Sequence, residues 1–259
     1  MIFSKFVEKF VNMDTQPLIS VITITYNAES TLLPTLESVA SQKYKNIEHI
    51  LIDGASTDNT LSIARNYPDL RILSEKDNGL YDAMNKGLRL ARGKYVLFLN
   101  AGDSFHSNKV LDAYASRAER GDHIIFGDTV IVDKDRHIVG KRHLTAPISL
   151  TKESFSKGML ICHQAFMVKK ELAPEFDLRY QFSADYDWTI RCIDNSDPRK
   201  CTNLSMITID YLKDGLTDKN KIKSLRERYS IMNRHFGAAK TFINHIGFIF
   251  RALGRKIKG

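Results

Sequence analysis

Residues 18–58 read LISVITITYNAESTLLPTLESVASQKYKNIEHILIDGASTD, and this stretch decides the fold. Its first eight residues, LISVITIT, form an unbroken run rich in β-branched side chains, as expected of a strand buried on both faces. A helical segment follows over 29–41, where Leu32, Leu33, Leu36 and Val39 recur on one side. Residues 47–53 predict a second strand of the same kind. A strand, a crossover helix and a strand in this order make a parallel pair, the seed of an open α/β sheet.

The alternation continues outward from this unit. A helix is expected over 57–66, a strand over 70–74, a helix over 80–91 and a strand at 95–99 (YVLFL). The second half is more mixed: a helix near 109–117, a strand–turn–strand region over 124–139, a strand at 163–168 and a helix at 184–193. No internal repeat or low-complexity linker interrupts the chain. Three segments are expected: an N-terminal helical extension at 1–17, an α/β domain at 18–217 and a basic helical tail at 218–259.

Composition narrows the class. At 259 residues and 43% hydrophobic, the chain can bury a sizeable core, which excludes disordered and fibrous readings. Cys162, Cys192 and Cys201 are odd in number and match no zinc spacing, so they read as reduced thiols. Residues 1–16 carry Lys5, Glu8, Lys9 and Asp14 among their hydrophobics and do not resemble a secretory signal. No stretch approaches the roughly 18–20 apolar residues of a membrane span. The net charge of +8 is concentrated at one end: from Lys213 to Gly259 there are 12 Lys and Arg against three acids. There, Phe242, Ile246, Ile249, Phe250, Leu253 and Ile257 recur at helical spacing among Arg251, Arg255, Lys256 and Lys258, predicting a basic amphipathic helix.

Ligands of open α/β sheets bind beyond the carboxyl ends of the strands. The first strand ends in Thr25-Tyr26-Asn27, the second in Asp53-Gly54-Ala55-Ser56-Thr57-Asp58 and the fourth in Asn100-Ala101-Gly102-Asp103. Any one of these could be only a turn; three on successive strand ends point to a site. Asp103 is suited to a hard cation such as Mg²⁺ or Mn²⁺, which takes one or two carboxylates plus substrate phosphates and neutralises a diphosphate leaving group. Its structural alternative is to cap the helix starting near Asn108.

The segment VITITYNAESTLLPTLESVASQKYKNIEHILIDGASTDNT resembles the opening of glycosyltransferase family 2, the inverting enzymes of GT-A fold. SEKDNGLYDAMNKGLRLARGKYVLFLNAGD, CHQAF at 162–166 and SADYDW at 183–188 extend the resemblance, most closely to the colanic-acid-type exopolysaccharide branch. It covers roughly residues 18–220. It implies a Rossmann-like, mostly parallel sheet flanked by helices, and transfer of a sugar from a nucleotide-diphosphate donor, a UDP-sugar, to a glycan or lipid-linked acceptor of a surface polysaccharide.

Carried onto this chain, the resemblance has Thr25, Tyr26 and Asn27 line the nucleotide pocket. Asp53 accepts from the base and Asp58 fixes the loop or the ribose. Asp77, Gly79, Asp82, Asn85 and Lys86 border the donor sugar and diphosphate, beside Asn100, Ala101 and Gly102. Asp103 is the last carboxylate of the family's metal site; Asn100 and Gly102 stand where aspartates often occur, so the metal set is thin. Asp185 is the general base that takes the acceptor's proton, with its N-cap role as the alternative and Asp187 as the competitor. On a helix these two point about 200° apart. His163 and Gln164 match the family's H-Q pair near donor or acceptor. Residues 213–217, KDGLT, resemble a Gly-rich flap over the donor. Trp188 receives no role, core packing being the commoner fate of a tryptophan.

Two other readings compete with this one. A sugar nucleotidyltransferase would carry a Gly-rich basic loop after the first strand, where this chain has TYNAES. A nucleic-acid binder could explain a pI near 9.3, but the tail alternates its cations with Phe, Ile and Leu and suits an anionic membrane surface better. The expectation is an enzyme at the cytoplasmic face of the membrane. Phe3, Phe6, Val7 and Phe10 form a stripe that suits either the membrane or a second subunit of a homodimer.

Overall fold

A computed structural model of the chain describes residues 16–142, 144–213 and 221–246. The aromatic N-terminal stripe, the Gly-rich turn at 214–217 and the distal tail from 247 lie outside the described residues.

Strand β1 (Ile19–Thr25) is buried along its whole length and lies between β2 (Ile47–Asp53) and β4 (Tyr95–Phe98), parallel to both. Strand β3 (Leu70–Ser74) continues the parallel set beyond β2. The crossovers are α1 (Leu32–Ala40), α2 (Thr60–Ala64) and α3 (Leu80–Leu90). Helix α2 spans half of the segment 57–66 expected from sequence, because Asp58 Oδ1 accepts the Thr60 amide and holds the preceding residues in a loop.

Side-chain alternation divides the core. Ile22, Ile24, Ile50 and Ile52 meet Tyr81, Met84 and Leu88 of α3 on one face. On the other, Ile19, Val21 and Leu97 meet α4 (Val110–Ala118) through Val110, Leu111 and Tyr114. Helix α3 rides close to β1 at Gly87, where an added Cβ would stand 2.4 Å from Ile22 Cγ2.

The second half turns the sheet mixed. Strand β5 (Ser104–Phe105) precedes α4, and β6 (Ile124–Val132) forms a hairpin with β7 (Ile138–Lys141). Strand β8 (Phe166–Lys169) runs antiparallel to both β4 and β6. The main path of the sheet is ordered β3-β2-β1-β4-β8-β6-β9-β5, with β7 paired to β6 off this path. Strand β9 (Cys201–Leu212) lies parallel to β6 and was not anticipated. Its sequence CTNLSMITIDYL has no clean apolar period, and Ser205, at φ 53°, breaks its regularity. The strand expected at 163–168 starts three residues later, since His163–Ala165 form a 3-10 turn.

Helix α5 (Ala184–Asp194) carries Trp188 into the core. Helix α6 (Lys221–Phe236) packs across α5: Ile231 and Met232 are buried, and Ser183 and Ser224 share a hydroxyl contact of 2.9 Å. A further helical stretch covers 238–246. All three cysteines are free. Among the described residues, no helix is long and apolar enough to cross a membrane.

Candidate active site

The loops after β1 and β2 are laced into one wall. Asn27, held at φ 46°, accepts the Thr57 amide on Oδ1 at 2.9 Å and donates its own amide to Ser56 Oγ at 2.8 Å. Asp58 accepts the Glu29 amide, and Glu29 accepts the Asn59 amide. Asp53 lies beneath this wall, fully buried. Its carboxylate takes the Ser56 amide and the hydroxyls of Ser56 and Ser74. Above, the Tyr26 ring is 64% exposed, and the buried Thr25 hydroxyl has no hydrogen-bond partner.

The segment before α3 forms the next wall. Asp77 accepts the Gly79 amide and sits over Gly54, where an added Cβ would stand 2.6 Å from its Oδ2. Asp82 accepts the Asn78 amide. Two residues expected at the donor are committed elsewhere. Asn85 is buried and clamps the Phe176 backbone with both polar groups, at 2.7 and 3.0 Å. Lys86 pairs with Glu75 at 2.9 Å and donates to the Lys76 carbonyl.

The 100–103 turn forms the floor. Thr35 of α1 holds it from behind, accepting the Gly102 amide and donating to the Asp103 carbonyl at 2.7 Å. Gly102 has φ 104°, a conformation open to glycine. Asp103 does not cap the helix that follows; the residue preceding that helix is Lys109. Instead Asp103 is buried, accepting the Leu212 amide on Oδ1 and Gln164 Nε2 on Oδ2. Asn100 Oδ1, in the same turn, is buried with no partner. A carboxylate beside an unsatisfied amide oxygen suits a hard divalent cation. Among the described residues, the cluster of three potential ligands lies elsewhere, at Asp133, Asp135 and His137 in the β6–β7 turn. Asp133 Oδ1 there is already occupied by the amides of Asp135 and His137.

Burial pushes the Asp103 carboxyl up to about 6, against the donors of Leu212 and Gln164. A carboxyl whose pKa rises on folding favours the folded state while protonated. That contribution is complete below the ordinary value near 3.8 and is lost as pH climbs through 6. At neutral pH the ionised group thus costs on the order of 3 kcal/mol. The Leu212 amide resonance is therefore expected to titrate with a midpoint near pH 6 in the ligand-free protein; a midpoint near 4 would show Asp103 to be ordinarily solvated.

The two carboxylates of α5 go separate ways. Asp187 is fully buried, 2.6 Å from Arg191 Nε and 2.7 Å from His235 Nε2. Burial would raise its pKa, but His235 and Arg191 together hold it low. It ties α5 to α6 and does not compete for the site. Asp185 lies in the first helical turn; Ser183 is the N-cap residue, so the capping alternative falls. Its carboxylate accepts Tyr81 Oη at 3.0 Å and lies 3.3 Å from His163 Nδ1. Burial, which opposes ionisation, is outweighed by His163, Arg228 and Tyr81, so the group stays ionised at neutral pH.

The H-Q pair joins this carboxylate to the floor. With the proton on Nδ1, His163 donates to Asp185 while Nε2 accepts Asn100 Nδ2 at 3.4 Å. Gln164 Oε1 accepts the Asn100 amide at 2.9 Å, and its Nε2 reaches Asp103. Asp185, His163, Asn100, Gln164 and Asp103 thus form one connected chain. Tyr81 joins it through its hydroxyl, and the charge of Arg228 acts on Asp185; neither was foreseen. Tyr81 stood inside the GLYDAMNKG run, whereas nothing local marks Arg228, whose charge acts on Asp185 from α6, the helix packed against α5.

The model of the family described as "Glycosyl transferase family 2" matches residues 20–175, more than half of the chain. The chain belongs to glycosyltransferase family 2. A relative from Mycobacterium bovis, a PGL/p-HBAD biosynthesis glycosyltransferase, is 33% identical over 226 residues, spanning 81% of this chain and 84% of that one. A shorter stretch of 96 residues is 41% identical to an Escherichia coli enzyme, UDP-Glc:alpha-D-GlcNAc-diphosphoundecaprenol beta-1,3-glucosyltransferase WfaP; it spans 36% of this chain and 38% of that one. In fold, the transferase is similar to S. aureus TarS 1-349 in complex with UDP, with a TM-score of 0.67 at 19% identity over 84% of this chain and 65% of that one. The transferase therefore has the GT-A architecture expected from its sequence.

Proposed function

We propose that this glycosyltransferase moves a sugar from a UDP-sugar to a lipid-linked or glycan acceptor, with inversion, in the assembly of a surface polysaccharide. The observation that carries the reading is the hydrogen-bonded chain from Asp185 to Asp103, which couples the proton-accepting side of the site to the leaving-group side. WfaP, whose name gives a UDP-Glc donor and a diphosphoundecaprenol-linked acceptor, supports both substrate classes.

In this reading Tyr26 offers an exposed ring to the base, while Thr25, Asn27 and Asp58 shape the nucleotide pocket, and Asp53 acts through the loop it holds. Asp77, Gly79 and Asp82 border the donor sugar. Asp103 and Asn100 Oδ1 would hold Mn²⁺ or Mg²⁺, which neutralises the departing diphosphate. Asp185 accepts the proton of the acceptor hydroxyl as that oxygen attacks the anomeric carbon and the bond to the diphosphate breaks. Tyr81 and His163 fix its carboxylate.

A thermal-shift series with UDP, GDP, dTDP and CMP, each with and without Mn²⁺, tests this. UDP is expected to give the largest shift, increased by the metal, since a ligand bound only by the native state stabilises by mass action. No response to any diphosphate would overturn the donor reading.

The acceptor's lipid gives the C-terminal helices a role at a membrane. Ile222, Leu225, Tyr229, Phe242, Ile243 and Ile246 are exposed, beside Lys223 and Arg226. Such a face suits an anionic leaflet, at about 1 kcal/mol per Lys or Arg. Co-flotation with anionic vesicles is expected and should vanish on deleting 240–259; flotation of the truncated protein would exclude that helix as the anchor.

A further inference from the structure

The β6–β7 turn holds a cation that the reading above leaves unused. Arg136 has φ 67°, a left-handed conformation that such turns normally give to Gly or Asn. The turn itself explains the backbone: Asp133 accepts the amides of Asp135 and His137, and its carbonyl accepts the Arg136 amide at 3.1 Å. It does not explain why an arginine stands there.

The side chain supplies the reason. Arg136 is half-buried, and its Nη1 is fully enclosed without a hydrogen-bond partner. A guanidinium is permanently charged and carries five donors, so leaving part of it buried and unpaired is costly unless a ligand completes it. Neither Asp133 nor Asp135 takes it, although both are in the same turn.

The turn also stands over the leaving-group end of the site. Val132, the last residue of β6, is in register with Leu212, and its carbonyl accepts the Lys213 amide at 2.9 Å. Leu212 in turn donates to Asp103 and packs on Gly102. The positive charge of Arg136 is among those that act on Asp103. Lys86, the cation expected at the phosphates from sequence, is engaged by Glu75.

We propose that Arg136 binds the diphosphate of the donor, its guanidinium taking phosphate oxygens from the side of the β6–β7 turn. The proposal rests on the donor reading of the site. Guanidinium matches phosphate geometry with paired, charge-assisted hydrogen bonds, and the contact strengthens as the departing diphosphate gathers charge.

Calorimetric titration of the Mn²⁺-supplemented protein with UDP, GDP, dTDP and uridine tests it in the wild type, Arg136→Gly and Arg136→Lys. Glycine is at ease at this φ, so Arg136→Gly is expected to melt no lower than the wild type. It should bind the wild type's preferred diphosphate on the order of ten- to hundredfold more weakly, keep its affinity for uridine, and Arg136→Lys should recover part of the loss. Unchanged diphosphate affinity in Arg136→Gly overturns the assignment while the donor reading stands; an equal loss for uridine makes the role structural and also overturns it. A wild type that binds none of the diphosphates sinks the donor reading and this proposal with it.

Discussion

Asp185→Asn is expected to lower turnover by about 10²- to 10⁴-fold, the range that a positioned general base contributes, while the affinity for the nucleoside diphosphate stays within about twofold. The substitution keeps the shape of the side chain and its acceptance of the Tyr81 hydroxyl. It removes the negative charge that pairs with His163 and the lone pair that would take the acceptor's proton. Asp187→Asn should behave oppositely. It leaves His235 and Arg191 facing a neutral group in the core, so the protein loses stability before it loses chemistry. Steady-state kinetics of both variants beside their melting temperatures separate the cases. Wild-type turnover in Asp185→Asn would remove it as the base and return the search to other groups at the pocket.

The largest effect on stability is expected at Trp188. Its indole is fully buried, stacked on Phe176 at 4.8 Å between ring centroids and met edge-on by Phe98 and Phe166. Its Nε1–H donates to the Pro174 carbonyl at 2.7 Å. Trp188→Ala removes the ring from a cluster that cannot collapse onto the space and leaves that carbonyl without its donor. The expected cost is about 3–5 kcal/mol, a large share of the stability of an ordinary domain. Urea denaturation followed by far-ultraviolet circular dichroism measures it, since the variant has no tryptophan to report. An unshifted midpoint would show that the ring contributes nothing to the core.

The parallel half of the fold was legible because its central strands, β1 and β4, are buried on both faces and read as continuous runs of β-branched, aromatic and other apolar side chains with few polar ones. The same physics hid β9, most of whose residues are only half-buried and whose Ser205 departs from strand geometry. The strand ends announced the site because polar residues in these positions can only face the crevice or turn away from it. Asn85 shows the limit of that inference. A polar residue in the right run can be spent on a neighbour's backbone, and only the approach of the Phe176 segment reveals it.

By itself, the sequence determined the strand–helix alternation and the separation of Asp185 from Asp187, both consequences of local periodicity, while its motifs marked the three polar strand ends and carried the resemblance to the family. The tertiary structure decided which groups act together. His163 and Gln164 bridge Asp185 to Asp103 across 82 positions of chain, and the charges of Arg228 and Arg136 act on Asp185 and Asp103 from a helix and a turn that carry no local sign of it. Hydrogen bonds and charge act over a few ångströms of space, and only the packed sheet brings those residues that close.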